Sequence, residues 1–525
     1  MGNKLLRGTL LLSSASLISK ILGFIYIIPF TLLVGSLGYN LYKYAYGPYT
    51  IMLSLSTMGI PLAISKLTAK YKQLEREDVI RKIVKSGMVF MLITGMTSFL
   101  LLYMLAPLLA GIVVDENSEG NSLESVIHVI RVVSFALIII PPMSLLRGFF
   151  QGNDSMGPSA ISTVAEQLSR VLFILVGVFV TIKLLNYPID NAVGVATFGA
   201  FIGGITGLGV LLFYFWKRRN LLLKPRNQIS IHHDISVMAI FKEMITYSIP
   251  FVIMGLSLPL YQNIDTYSIN TVLKSLGYEE VAAENVNSVI GLAQILVLIP
   301  VSITTGLSVS IIPNITKSYV LNNFGLLKEQ VGQSLLILMF IILPAATGIF
   351  VLAEPLYLLL FTERNFPILG GQLLEVYAPA AILIALYGVT SSILQAINQQ
   401  KKLIIGLFIG IFIKVILNFA LPGIFLEKGF ILATYCGYFA SLTINMIIIR
   451  NKIGIHLGKV KYRLVSIFIS TLLMATLVNM LEKALIQTAG TFLTVIICSL
   501  SGILIYIISL YRLNFLRYKK FLKGK

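Results

Sequence analysis

Apolar runs about twenty residues long, such as LLILMFIILPAATGIFVLA from Leu335 to Ala353, recur from one end of this chain to the other. A helix rises 1.5 Å per residue, so about 20 such residues cross the roughly 30 Å of hydrocarbon in a bilayer. Inside lipid every backbone N–H and C=O must find its partner within the segment, which leaves the helix as the fold of each run. Fourteen spans result, near 8–34, 45–65, 86–113, 125–147, 158–182, 191–216, 244–273, 284–312, 332–361, 374–396, 403–422, 428–450, 464–486 and 490–511. With 57% hydrophobic and 12% charged residues, the chain lacks the polar surface to coat a soluble globule of 525 residues. The expected class is an all-α integral membrane protein with 14 transmembrane helices. Its first segment, MGNKLLRGTLLLSSASLISKILGF, starts like a signal sequence, but the apolar run continues to Val34 without a small-residue cleavage site and reads as a retained span.

The formal charge of +19 would suggest nucleic acid in a soluble protein. Here its distribution answers a different question. With both termini cytoplasmic, the inner segments carry 31 Lys and Arg and the outer ones 6, which fits the positive-inside rule for an even number of spans. The acidic stretch VVDENSEGNSLES falls outside. A multi-pass protein of the plasma membrane is expected, with no nucleic-acid partner.

Two weak internal alignments suggest a repeat. RGFFQGNDSMGPSAISTVAEQLSRVLFIL lies on SSILQAINQQKKLIIGLFIGIFIKVILNF at an offset of 244, pairing Arg170 with Lys414, and KLTAKY lies on NITKSY at an offset of 248. Both superpose one span on the sixth after it, so the expected domains are an N-lobe over 1–216, a polar linker over 217–243, a C-lobe over 244–450, and a C-terminal helix pair with a basic tail over 451–525.

Four cations fall inside spans. Lys20, Arg170 and Lys414 each lie roughly 17 to 18 Å from the cytoplasmic start of their span, near mid-bilayer, where a charge is expensive and snorkelling is difficult. Together they suit an anion in a polar cavity. Arg131 lies near the outer end of its span and reads as interfacial. Glu166, beside Gln167, is four residues before Arg170 on the same helix face, so it either pairs with Arg170 or joins a substrate site. Asp265, in SLPLYQNIDTYSIN with Gln262 and Asn263, either caps a helix end or meets a cation or substrate hydroxyls. Gly199, Gly203 and Gly207 recur every four residues in an apolar span and read as a helix-packing stripe rather than a nucleotide loop. Cys436 and Cys498 and the four histidines lack ligand spacing, so neither cofactor nor metal is expected.

Residues 46–71, YGPYTIMLSLSTMGIPLAISKLTAKY, and 147–171, RGFFQGNDSMGPSAISTVAEQLSRV, resemble the SpoVB and YtgP branch of the polysaccharide exporters, closest to YtgP. That branch is related to the MurJ-type lipid II flippases and the MATE drug exporters. The resemblance extends from ISKILGFIYIIPF through both lobes. It implies two six-helix lobes around a central cavity plus a C-terminal pair whose groove suits a lipid tail. It also implies an undecaprenyl-linked saccharide substrate, foremost lipid II. In Gram-negative flippases the first helix reads like SRxLGFxRD; SKILGFIYI keeps a cation at Lys20 but has Tyr26 and Ile27 at the last two positions. Gln294 and Ile295 stand where an Asp-Arg pair precedes the proline of the eighth helix, here Pro300.

The expected function is therefore an alternating-access flippase carrying undecaprenyl-pyrophosphate-linked sugar from the inner to the outer leaflet, with a coupling ion or the membrane potential as driving force. Its candidate site residues are Lys20, Arg170, Lys414, Glu166, Gln167, Asp265, Gln262 and Asn263. Rival readings are an exporter of another lipid-linked polysaccharide unit and a MATE-like drug exporter, though binding of cationic drugs favours cavity acids over cations. An enzyme would carry catalytic carboxylates or histidines in sizeable water-facing loops, and the outer loops here are short.

Overall fold

The computed structural model describes residues 2–57, 59–74, 76–115, 119–222, 237–361, 365–454 and 458–513. Most of the expected linker (223–236, with His232 and His233), the middle of the acidic stretch (116–118) and the basic tail (514–525) lie outside the described residues. Within them the secondary structure is helical, with no strand.

Two compact units divide the chain, Met1–Thr271 and Val272–Lys525. The first holds α1 (Gly2–Ile25), α2 (Ile27–Thr57), α3 (Ile60–Gln73), α4 (Glu77–Val113), α5 (Leu123–Ser134), α6 (Ala136–Gly152), α7 (Met156–Phe179), α8 (Ile189–Leu222) and most of α9 (Val237–Ser275). The second holds α10 (Glu280–Val320), α11 (Phe324–Val351), α12 (Ala353–Leu360), α13 (Pro367–Tyr377), α14 (Ala380–Ala396) and α15 (Gln400–Ala420), followed by α16 (Pro422–Phe425), α17 (Glu427–Lys452), α18 (Gly458–Leu485) and α19 (Gly490–Arg512).

Eleven helices among the described residues are long and apolar enough to cross a membrane, or twelve if α13 and α14, bent by 44°, form one span. The 44-residue stretch Ser14–Thr57 counts once in that tally, yet it breaks at Gly35, whose φ of 68° and ψ of −171° are closed to a residue with a Cβ. Helix α9 is a further 39 residues. The fourteen expected spans are consistent with this set.

Gly35 also moves a boundary. The helix after the break begins at Ser36, nine residues before the expected start of the second span, so Lys43 lies within a helix and not in an outer connection. The boundary between the units falls late in α9, past the 217–243 segment, because the C-terminal part of α9 bonds into the first unit. Asn270 donates from Nδ2 to Tyr44 Oη at 2.5 Å and to the Val113 carbonyl at 3.1 Å, and Tyr267 Oη donates to the Tyr44 carbonyl at 3.3 Å.

Helices in lipid gain little from hydrophobic exclusion, so they associate by close backbone approach and hydrogen bonds. The glycine stripe of α8 does this in the first unit. A Cβ at Gly199 would come within 2.7 Å of Ile174, and one at Gly203 within 2.9 Å of the Glu166 carbonyl, so α7 lies directly on the stripe. In the second unit, α18 and α19 dock on α11 through Leu336, Ile467, Met474, Cys498 and Tyr506, and Tyr506 Oη donates to the Phe340 carbonyl at 2.9 Å.

Candidate functional site

Helix α7 carries Glu166, Gln167 and Arg170, and the structure separates their roles. Arg147, near the end of α6, donates from Nη2 to Glu166 Oε2 at 2.7 Å, and both side chains are mostly buried. The same guanidinium donates from Nη2 to Ser162 Oγ at 2.9 Å, and that hydroxyl donates to the Gly207 carbonyl at 2.9 Å. Ser159 Oγ closes the cluster by donating to the Arg147 carbonyl at 3.1 Å. The charge of Glu166 is thereby used within the first unit, knitting α6, α7 and α8 together. Gln167 packs against α1, where a Cβ at Gly23 would lie 3.2 Å from its Nε2.

Arg170 makes no ion pair among the described residues. Its guanidinium carbon lies 5.5 Å from the centroid of the Tyr46 ring, a cation–π arrangement. Tyr46 stacks on Tyr42 at 4.2 Å and meets Tyr49 edge-on at 5.4 Å. Tyr42 and Tyr26 share a hydrogen bond between their hydroxyls at 2.9 Å. Arg170 Nε and Tyr46 Oη are buried without a hydrogen-bond partner, and the buried Tyr49 hydroxyl lies beside the Arg170 guanidinium. A cation and two phenols with unused donor capacity can together bind an oxyanion.

The other expected residues are placed differently. Lys20 is exposed on α1. Asp265 is buried, at 4% exposure, and interacts electrostatically with Lys43 of α2. Beside it Asn263 donates from Nδ2 to the Pro259 carbonyl at 2.7 Å, its Oδ1 held against Gly47, where a Cβ has no room. Gln262 is half-buried in the same turn. Lys414, in the second unit, is fully buried between α15 and α17 and donates from Nζ to Thr434 Oγ1 at 2.6 Å. The two cations that the repeat alignment pairs thus have unlike surroundings: Arg170 is half-buried against an aromatic cluster, Lys414 enclosed.

The polysaccharide biosynthesis protein family profile matches residues 5–319. The chain belongs to this family. The MatE family profile matches residues 250–420. Lipid II flippase MurJ of Bacillus subtilis is 38% identical over 98% of this chain and 97% of its own length, and stage V sporulation protein B of the same organism is 25% identical over 79% and 77%. Among solved structures, lipid II flippase MurJ in an inward closed conformation superposes with a TM-score of 0.71 at 16% identity, covering 98% of this chain and all of that one. An inward-facing multidrug resistance MATE family transporter gives 0.64 at 14% identity, covering 82% and 94%. The fold is therefore that of the MurJ and MATE transporters, and the protein is a multi-pass membrane protein.

Within this polysaccharide biosynthesis protein, two of the four positions that depart from the Gram-negative pattern make other contacts. Tyr26 belongs to the aromatic cluster around Arg170, and Gln294 donates from Nε2 to Tyr377 Oη at 2.8 Å. Sequence reasoning missed Arg147, counted as an ordinary inner charge, and the tyrosines of α2. A signal for the latter was present: in LYKYAYGPY, Tyr42, Tyr46 and Tyr49 stand at i, i+4 and i+7, one face of a helix.

Proposed function

We propose that this protein is an alternating-access flippase that carries undecaprenyl-pyrophosphate-linked sugar, with lipid II as the substrate, from the inner to the outer leaflet of the bacterial plasma membrane, both termini being cytoplasmic. The observation that carries the chemistry is Arg170, whose guanidinium is left for an anion because Arg147 takes Glu166. The relative named lipid II flippase MurJ, alike over nearly the whole chain, supplies the substrate. A pyrophosphate is expensive in hydrocarbon and a prenyl tail is not, so a flippase has to hold the headgroup and can leave the tail in lipid. Arg170 meets the pyrophosphate, the hydroxyls of Tyr46 and Tyr49 add neutral donors, and Gln167 is positioned one turn away for the sugar. Lys20 assists on approach. Solved transporters of this fold have been captured both inward-facing and outward-facing, which supports alternating access. Such a protein is a transporter and not an enzyme. An ion gradient or the membrane potential drives the cycle, with the half-buried Lys43 and the buried Asp265 as its charge-bearing pair.

The test is to shut off expression of the protein in its host, with redundant flippases removed, and measure lipid II in the inner leaflet. Accumulation that is reversed by the wild-type gene and not by Arg170→Ala is expected. Absence of accumulation rejects lipid II as the substrate.

A further inference from the structure

Glu124, His128 and Arg131 of α5, followed by Phe135 at the junction with α6, stand at i, i+4, i+7 and i+11, so they occupy one face. A cavity of about 560 Å³ opens there, lined by Tyr103, Glu124, His128, Arg131 and Phe135 among others. A second, of about 450 Å³, shares His128 and continues past Asn191 to Phe173 and Phe198. Arg131 lies with its guanidinium carbon 4.8 Å from the Tyr103 ring centroid. Its Nε is buried without a hydrogen-bond partner, and it makes no ion pair among the described residues. Leaving such a donor unmet is costly, so a ligand that supplies an oxyanion here is favoured.

Tyr103 and Phe135 line the first cavity and Phe173 and Phe198 the second, with Phe99 and Phe201 packed behind them as one aromatic floor. Phe135 contacts Tyr103 at 6.5 Å, Phe99 at 5.0 Å and Phe201 at 6.4 Å, and the row continues from Phe201 to Phe198 at 5.0 Å and from Phe198 to Phe173 at 6.2 Å. The absence of a side chain at Gly194 lets α8 close on this face, since a Cβ there would lie 2.9 Å from His128 Nε2.

We propose that this face binds one zwitterionic aminophospholipid of the bilayer, its phosphate on Arg131, its ammonium on Glu124 and its chains along the phenylalanine floor. The order of groups along the helix argues for that occupant. The exposed carboxylate of Glu124 comes first, two turns before the guanidinium, and the aromatic rings follow. An aminophospholipid has the same order from water inward: amine, phosphate, acyl chain. Side chains on a helix lean toward its N-terminus, so Arg131 reaches back toward Glu124 and shortens the roughly 10 Å of helix between them. Phosphatidylglycerol offers the carboxylate only neutral hydroxyls in place of an ammonium, and a prenyl pyrophosphate offers it no donor. Because α5 begins on the outer side in the positive-inside arrangement, the lipid belongs to the outer leaflet. The site is separate from Arg170 and does not depend on what the protein transports.

Native mass spectrometry of the full-length protein, equilibrated with equimolar phosphatidylethanolamine, phosphatidylglycerol and undecaprenyl pyrophosphate, tests this. Wild-type protein retains phosphatidylethanolamine about tenfold over phosphatidylglycerol, the discrimination that one charge-assisted contact provides. Glu124→Gln, at an exposed position, lowers retained phosphatidylethanolamine about tenfold, to the phosphatidylglycerol level, and leaves phosphatidylglycerol unchanged, whereas Arg131→Gln lowers both lipids about tenfold. Equal retention or a preference for phosphatidylglycerol in the wild type, displacement of both by undecaprenyl pyrophosphate, or an unchanged ratio in Glu124→Gln overturns the proposal.

Discussion

Arg147 and Glu166 meet at 2.7 Å across 19 positions of sequence, although Arg170 stands one helical turn from Glu166 on α7. The competition is decided by magnitude. An i,i+4 pair on a helix surface is worth about 0.2 to 0.5 kcal/mol, whereas a mostly buried, charge-assisted hydrogen bond contributes about 1.5 to 3 kcal/mol. Ser162 accepts from the same guanidinium and fixes its direction. Arg170 therefore faces Tyr46 with its charge uncommitted.

Glu166→Leu strands the Arg147 guanidinium in a nearly dry site. It is expected to cost about 3 kcal/mol, read as a lower unfolding midpoint in detergent. Arg147→Met combined with Glu166→Leu removes both charges and is expected to recover most of that loss while still complementing a flippase-deficient strain. A stable but inactive double variant would place one of the two in contact with substrate.

Arg170→Ala is expected to abolish complementation with the protein still present in the membrane. Arg170→Lys keeps the charge, loses the planar fork and the stacking on Tyr46, and should retain partial transport. Tyr46→Phe removes a hydroxyl without a partner in the fold and Tyr49→Phe one whose neighbour is the Arg170 guanidinium, so the unfolding midpoint of Tyr46→Phe should match the wild type within error. If those hydroxyls meet the headgroup, each variant lowers transport about tenfold, the effect of one hydrogen bond to a charged group.

Hydropathy made the spans legible because lipid imposes a length and a composition on every crossing helix. It failed where a span is built from amphipathic residues. GSLGYNLYKYAYGPY is too polar for the twenty-residue ruler, yet Tyr44, accepting from Asn40 and Asn270, and the ring cluster around Tyr46 give its polar groups and rings partners inside the protein. The depth ruler found Arg170 and Lys414 alike, since depth depends only on position in a helix. Their surroundings depend on neighbours distant in sequence, Tyr46 for one and Thr434 for the other, and no local pattern announces those.

Gly203→Ala tests how tightly the α7–α8 contact positions Arg170. The new methyl would meet the Glu166 carbonyl at 2.9 Å and Arg170 Cβ at 3.0 Å, and a backbone oxygen in a helix cannot move aside alone. A loss of about 1 to 3 kcal/mol is expected, with transport reduced further because the turn carrying Arg170 shifts. Gly209→Ala, on the same helix with nothing within 4 Å of its Cβ, is the matched control and should leave both readings unchanged.

Lys414 separates a structural from a transporting role. Its ammonium is fully enclosed and donates to Thr434 Oγ1, which itself donates to the Phe430 carbonyl at 3.1 Å. Lys414→Ala opens a cavity and removes the donor, so reduced protein in the membrane is expected with a destabilisation of about 2 to 5 kcal/mol. Lys414→Met keeps the volume and drops the charge. If the lysine is structural, Lys414→Met retains most of its stability and complements. If Lys414 instead reaches the substrate in another state of the transport cycle, Lys414→Met is stable and inactive, and the expectation that Lys414 meets the anion stands. The enclosed geometry favours the first outcome, because a charge bound this closely to Thr434 would have to break that contact before it could meet a pyrophosphate.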